Sequence, residues 1–247
     1  MDKQGLYDRM ASRKSQPKDF NTYIGDNGRV NRCVQLIKQG KIRTGGTLLD
    51  VGGGIGDLCY QVKKDELFKE AIALDISRKN LAAAESKAVT TLISDVDMDG
   101  IPSDDGRFDV VTALDFIEHI IDPEYFAREC FRVLKPSGQV FINTPNIQYF
   151  EHLESLVYRG VFPHTSGDHE VYHGGHLAFF GQKDLVDIFT SAGFNECQQI
   201  KDEAGYQTPP ELWVNFLSPK NQIEYIDCCM KLGNPNLLFR CIKPVNT

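Results

Sequence analysis

Residues 48–57 read LLDVGGGIGD, an apolar run that ends in an aspartate and enters a turn with glycine at 52, 53, 54 and 56. The apolar run predicts a buried strand. A Cβ at the turn would hold the backbone away from a ligand. Gly52, Gly54 and Gly56 let the chain turn tightly and approach closely, and the next helix presents its N-terminus there. The stretch therefore predicts a site for a nucleotide-like cofactor at the first strand-to-helix turn of an α/β sheet.

The same rhythm continues on both sides. Upstream, Val30, Cys33, Val34 and Ile37 recur at helical spacing, and Gly40 stops that helix. Downstream, a helix is expected over 55–64, then the strand AIALD (71–75), which also ends in an acid. Ser77 is a good N-cap for a helix running to about residue 87. VTTLIS (89–94) reads as a short strand before Asp95, and 97–107 as turn chemistry. FDVVTAL (108–114) has the near-continuous apolar character of a strand buried on both faces. Asp122-Pro123 opens a helix, and Pro136-Ser137-Gly138 turns into the strand QVFINT (139–144). Residues 145–180 break the alternation and read as an insertion or lid. A helix at 182–192, a strand near 195–200, a helix near 220–232 and a last strand at 237–243 follow. Alternating strands and helices predict an α/β fold with a mostly parallel sheet and helices on both faces.

The chain has 247 residues and is 41% apolar, enough for one α/β domain with a decoration. No run approaches the ~18 apolar residues of a membrane span, and the polar N-terminus carries no secretion signal. The net charge of -7 argues against a broad nucleic-acid surface, which needs basic residues. The seven cysteines are odd in number and form no C-x-x-C pair, so the expectation is reduced thiols in a cytoplasmic protein, without disulfide or zinc.

Asp75 lies 21 residues after Gly54, where an acid can accept from both ribose hydroxyls. That alone does not separate NAD from S-adenosylmethionine. Position 57 is Asp where the dinucleotide fingerprint has Gly or Ala, and Asp95 stands where an acid can accept from an adenine amino group. LLDVGGGIGD, IALD, ISDVDMDGIP, FDVVTALDFIEHIIDP and FRVLKPSGQVFINTPN together resemble, in order and spacing, the motifs of class I S-adenosylmethionine-dependent methyltransferases. The likeness covers about residues 45–200 and is greatest to the ubiquinone-pathway and small-molecule O-methyltransferases (the type 11/23-like group). It implies a Rossmann-like, seven-stranded sheet whose last strand is antiparallel. By motif position, Gly52, Gly54 and Gly56 line the methionine and ribose part, and Asp50 orients that loop or contacts the methionine amine. Asp75 holds the ribose, Ile76 flanks the adenine, Asp95 and Val96 meet its edge, and Leu114 offers its backbone near the methionine end.

Methyl transfer to a hydroxyl needs alignment and removal of a proton. Asp115, Glu118 and His119 follow the fourth strand, and this Asp-x-x-Glu-His resembles the Glu-x-x-Glu-His element that binds a divalent ion in some relatives. In the RNA 2′-O-methyltransferases among them, a further His lies in an H-x-x-F context, which His176-Leu-Ala-Phe179 matches. Asp115, Glu118, His119 and His176 are thus candidate metal ligands, with mixed oxygen and nitrogen donors. Metal-free proton removal or substrate orientation by His119, assisted by Glu118 and His176, and a purely structural role stay open beside that reading. His164, His169, His173 and His176 crowd the insertion, where Tyr149, Phe150, Tyr158, Phe162, Tyr172, Phe179 and Phe180 can line an acceptor pocket, and Trp213 can cap it.

The expectation is a single methyltransferase domain over 1–247. Residues 1–44 form an N-terminal helical cap, 45–144 the cofactor core, 145–181 the insertion and 182–247 the rest of the sheet. The expected acceptor is a small polar molecule such as a sugar, nucleotide-sugar or other metabolite, methylated on O or N. An RNA 2′-hydroxyl enzyme using a divalent metal, a non-catalytic binding module and a dehydrogenase are the alternatives.

Overall fold

The computed structural model describes residues 4, 5, 8, 28–163, 175–200 and 206–245. In chain order the elements are α1 (Arg29–Lys38), β1 (Thr47–Val51), α2 (Asp57–Lys64), β2 (Glu70–Asp75), α3 (Arg78–Glu85), β3 (Thr90–Ile93) and α4 (Val96–Asp99). Then come β4 (Phe108–Leu114), a 3-10 turn (Ile117–His119), α5 (Pro123–Val133), β5 (Leu134–Pro145) and α6 (Phe150–Tyr158). The chain closes with α7 (Gln182–Ser191), β6 (Asn195–Gln199), α8 (Glu211–Phe216), α9 (Gln222–Gly233) and β7 (Asn236–Ile242).

The seven strands form one sheet in the order β3-β2-β1-β4-β5-β7-β6. The first five are mutually parallel, and β7 runs antiparallel to β5 and β6. This is the Rossmann-like sheet with an antiparallel last strand that the motifs implied. Alternate residues feed two cores. Leu49, Val51, Val111, Ala113 and Ile142 pack with Phe126 and Cys130 of α5 and Phe189 of α7. Leu48, Ala73, Val110 and Phe141 pack on the other face with Leu36 and Ile37 of α1 and Leu58 and Val62 of α2. Burial on both faces is why these strands read as apolar runs.

Local signals placed the helix starts well. Ser77 caps α3 by accepting from the Asn80 amide, and Asp122 caps α5 by accepting from Tyr125. Four features differ from the sequence expectation. The turn region holds α4, for which Asp95 is the N-cap. β5 begins at Leu134, pairs with Phe108, and then bulges past Ser137 (φ 63°) before regaining register at Gln139. The insertion contains α6, and the Pro-rich tail contains α8. Both are short, α6 with no fully buried residue and α8 with Val214 alone, so neither leaves the wide apolar stripe that marks a helix in sequence.

The cysteine expectation requires a correction. Cys197 of β6 and Cys241 of β7 form a disulfide, with Cα atoms 4.1 Å apart. A separation of 44 residues carries no local signal; the register of two antiparallel strands sets the sulfurs face to face. Cys33, Cys59 and Cys130 are free and buried, and Cys228 and Cys229 are free and half-buried. The cysteines therefore no longer argue for a reducing compartment. Among the described residues, no helix is long and apolar enough to cross a membrane.

Candidate active site

The carboxyl ends of β1, β2, β4 and β5 meet around the glycine turn. Gly52, Gly54 and Gly56 all have positive φ, at 71°, 53° and 74°. A Cβ on Gly52 would stand 2.6 Å from the Phe116 ring, and one on Gly56 2.8 Å from the Ala84 Cβ. Among the described residues, a Cβ on Gly54 would meet nothing within 4 Å. Gly52 and Gly56 thus permit tight packing against Phe116, just beyond β4, and Ala84 of α3, while a Cβ on Gly54 has room among the described residues.

Asp75 fixes this turn to β2. Its two oxygens accept from the amides of Gly54 (2.9 Å) and Ser77 (2.8 Å). Burial pushes its carboxyl upward, and those two amides and the Asn80 side chain oppose the shift. Lys87 braces the turn from below, reaching the Ile55 carbonyl at 3.1 Å and Asp57 at 2.5 Å. That pair explains an Asp at position 57 in place of the small residue of a dinucleotide fingerprint. Nothing in the local sequence links Lys87 to Asp57, 30 residues away. Asp95 and buried Val96 sit together at the start of α4, beyond β3, and half-buried Ile76 follows Asp75 directly.

Asp50 lies inside the sheet, 4% exposed, in register with Thr112 of β4. The Thr112 hydroxyl donates to its Oδ1 at 2.7 Å. Burial drives the Asp50 carboxyl up to about 7, against the pull of Thr112 and Arg29.

The sequence reading missed Arg29. From the first turn of α1 its guanidinium contacts Asp115 at 2.6 Å, and it favours the ionised forms of Asp50 and Glu118. Asp115 itself sits at φ 51°, with its other oxygen 2.5 Å from the Asn143 amide nitrogen. A lone arginine at a helix start has no periodic signature, so only the tertiary fold could reveal its place.

Glu118, His119 and His176 come together beside this cluster, each offering a donor atom within 4.8 Å of the others. Asp115 is outside that group, turned toward Arg29 and Asn143. Glu118 is 1% exposed, and its Oε2 accepts from Thr144 at 2.9 Å. Its Oε1 is buried, has no hydrogen-bond partner among the described residues and lies 3.9 Å from His176 Nε2. Burial, then the nearby Asp115 charge, raises the Glu118 carboxyl to about 8. The Glu118 carbonyl accepts from Leu177 (2.7 Å) and Ala178 (3.2 Å), which ties the 3-10 turn to the segment carrying His176. His119 Nδ1 faces the Gly175 carbonyl at 3.2 Å, and the two imidazoles meet edge to face at 4.7 Å. Phe179 and Phe162 continue the cluster, with rings 4.7 Å apart. Tyr149 and Phe180 are buried, and Trp213 packs on Tyr158. His164, His169, Tyr172 and His173 lie outside the described residues.

Asp50 and Glu118 give a testable pH dependence. Each carboxyl binds its proton more tightly in the folded chain than in the unfolded one, where values near ~4 apply. The associated stability is fully present below pH ~4 and is lost as pH rises through about 7 for Asp50 and about 8 for Glu118. Melting temperatures at pH 5.5 and 8.5 should therefore fall more in the wild type than in Asp50→Asn, by ~2–4 °C for each kcal/mol removed. Parallel profiles for the two proteins would contradict the raised value at Asp50.

Residues 27–199 match the family description "Methyltransferase domain". The ubiquinone biosynthesis O-methyltransferase of Vibrio campbellii is 32% identical over 157 residues, covering 58% of this chain and 65% of that protein. The chain spans between 40% and 65% of the length of the first curated relatives it matches. A chain in the complex between the Haloferax volcanii Trm112 methyltransferase activator and a methyltransferase shares the fold, with TM-score 0.61 and 18% identity over 98% of this chain and 97% of that one. Haemonchus contortus phosphoethanolamine N-methyltransferase 2, in complex with phosphomonomethylethanolamine and S-adenosylhomocysteine, does so with TM-score 0.59 and 20% identity over 91% and 56%.

Proposed function

The chain belongs to the S-adenosylmethionine-dependent methyltransferases, and on that premise we propose that it methylates an oxygen or nitrogen of a small polar acceptor held beside His119. The observation that carries the acceptor side is the Glu118–His119–His176 group beyond β4, a buried carboxyl beside two half-buried imidazoles. On the cofactor side, Asp75 takes the ribose hydroxyls in the acceptor positions left beside the Gly54 and Ser77 amides and the Asn80 side chain. Gly54 admits the ribose, and Ile76, Asp95 and Val96 frame the adenine. The backbone at Leu114 meets the methionine end, Asp50 takes the amine, and Arg29 supplies the positive charge for the carboxylate. Arg29 is suited to that task because a guanidinium pairs with carboxylates through several N–H donors.

The chemistry is an in-line displacement at the sulfonium methyl. The protein orients the acceptor and removes its proton. With Nδ1–H directed to the Gly175 carbonyl, His119 keeps Nε2 as a base. The donor set also fits a divalent cation. A buried carboxylate oxygen with no hydrogen-bond partner among the described residues, close to two imidazoles, is a site whose charge calls for a proton or a metal. Glu118, His119 and His176 would hold such an ion, which would supply Lewis-acid activation of an acceptor hydroxyl.

Calorimetric titration with S-adenosylhomocysteine, with EDTA and then with Mg or Mn, tests both sides. Binding in EDTA is expected, with a further heat when metal is added. An acceptor screen of sugars, nucleotide-sugars and phenols, with short RNA as the contrast, then reads turnover. Turnover of RNA alone would overturn the small-molecule reading, and absence of any cofactor binding would overturn the enzyme itself.

A further inference from the structure

We infer that Thr112 is a positioning residue for the cofactor's amino-acid end: its hydroxyl holds the buried Asp50 carboxylate ready for the methionine ammonium. The inference rests on the reading that Asp50 meets that amine. Neighbouring parallel strands place Asp50 and Thr112 side by side on one face of the sheet. Thr112 is 0% exposed, so water cannot replace its hydroxyl. The hydroxyl stands 2.7 Å from Asp50 Oδ1 and 3.4 Å from the Leu49 carbonyl. It has one proton and two lone pairs. It can donate to an ionised Asp50. It can also accept from a neutral Asp50 while turning its proton to Leu49. One side chain therefore satisfies both protonation states of a buried acid.

The other carboxyl oxygen points at the glycine turn. A Cβ built on Gly53 would sit 3.2 Å from Asp50 Oδ2. Thr112 thus occupies the oxygen that faces β4 and leaves the oxygen on the side of the glycine turn. The charged and titratable groups around Asp50 are Arg29 of α1, Asp75 of β2 and Asp57 of α2, with the buried thiols of Cys33 and Cys59 on α1 and α2. Arg29 favours the carboxylate, and the two acids and burial oppose it. The Thr112 hydrogen bond is the strongest influence favouring the ionised form. Removing it while keeping the volume should raise the carboxyl further and weaken an ammonium ligand.

Thr112→Val and Thr112→Ser separate this role from packing. Binding of S-adenosylhomocysteine is compared with that of 5′-methylthioadenosine, which keeps the adenine, ribose and sulfur but has no amino acid. Thr112→Val should weaken S-adenosylhomocysteine about tenfold at pH 7, the loss expected for a hydrogen bond to a charged group. It should leave 5′-methylthioadenosine within about twofold and move the pH midpoint of S-adenosylhomocysteine affinity upward. Thr112→Ser should restore both. Equal weakening of the two ligands, or no weakening of either, overturns the assignment. Wild-type protein that binds 5′-methylthioadenosine as tightly as S-adenosylhomocysteine would show that Asp50 meets no amine. Wild-type protein that binds neither would overturn the cofactor reading itself.

Discussion

Asp75→Ala is expected to lower the affinity for S-adenosylhomocysteine by at least about a hundredfold. Two ribose hydroxyls donating to a carboxylate are worth roughly 1.5–3 kcal/mol each, and every ~1.4 kcal/mol is tenfold in Kd. The carboxylate also has a structural task. It holds the Gly54 amide at 2.9 Å and the Ser77 amide at 2.8 Å. Alanine frees both amides, so the turn loses the conformation that lets the ribose approach. Asp75→Asn keeps one acceptor oxygen and the side-chain shape, and it should retain more of the fold than of the affinity. Calorimetry and thermal melts on the two variants separate these contributions. A Kd for Asp75→Ala within about threefold of wild type would remove Asp75 from the ribose.

His119→Ala should lower kcat by ~10²–10⁴, the usual contribution of a positioned acid or base, while the Kd for S-adenosylhomocysteine changes less than about twofold. The division follows from geometry. His119 stands on the 3-10 turn beyond β4, with Glu118 and His176, and not among the residues that grip the glycine turn. Glu118→Gln adds the discriminating test. If the group holds a metal, both variants lose the heat of Mg or Mn binding together with turnover, because a neutral amide is a poor ligand beside two imidazoles. If His119 acts as a base without metal, EDTA leaves wild-type turnover intact and Glu118→Gln moves only the pH profile. Full turnover in His119→Ala would overturn both accounts.

The legible and illegible parts of this chain differ in how far apart their determinants lie. The helix starts at Ser77 and Asp122 were legible because a cap acts within three residues of its own position. The buried strands were legible because a central parallel strand must be apolar on both faces. α6 and α8 were not, since short exposed helices need little apolar periodicity. The path of β5 departs from the sequence expectation for a related reason. Pro136-Ser137-Gly138 has turn chemistry, and the fold uses it as a bulge within a longer pairing.

The sequence by itself determined the sheet type, the glycine turn, the acid at the end of β2 and membership of the methyltransferase family, because each is written in contiguous residues with short-range physics. Only the tertiary structure decided which separated side chains share a space. It set Arg29 against Asp115, 86 residues away, and Lys87 under the glycine turn. It joined Cys197 to Cys241 and turned Asp115 away from Glu118, His119 and His176. The physical reason is that contacts of this kind are fixed by strand order and register. Burial then makes their charges and hydrogen bonds count, and no local pattern of residues records either one.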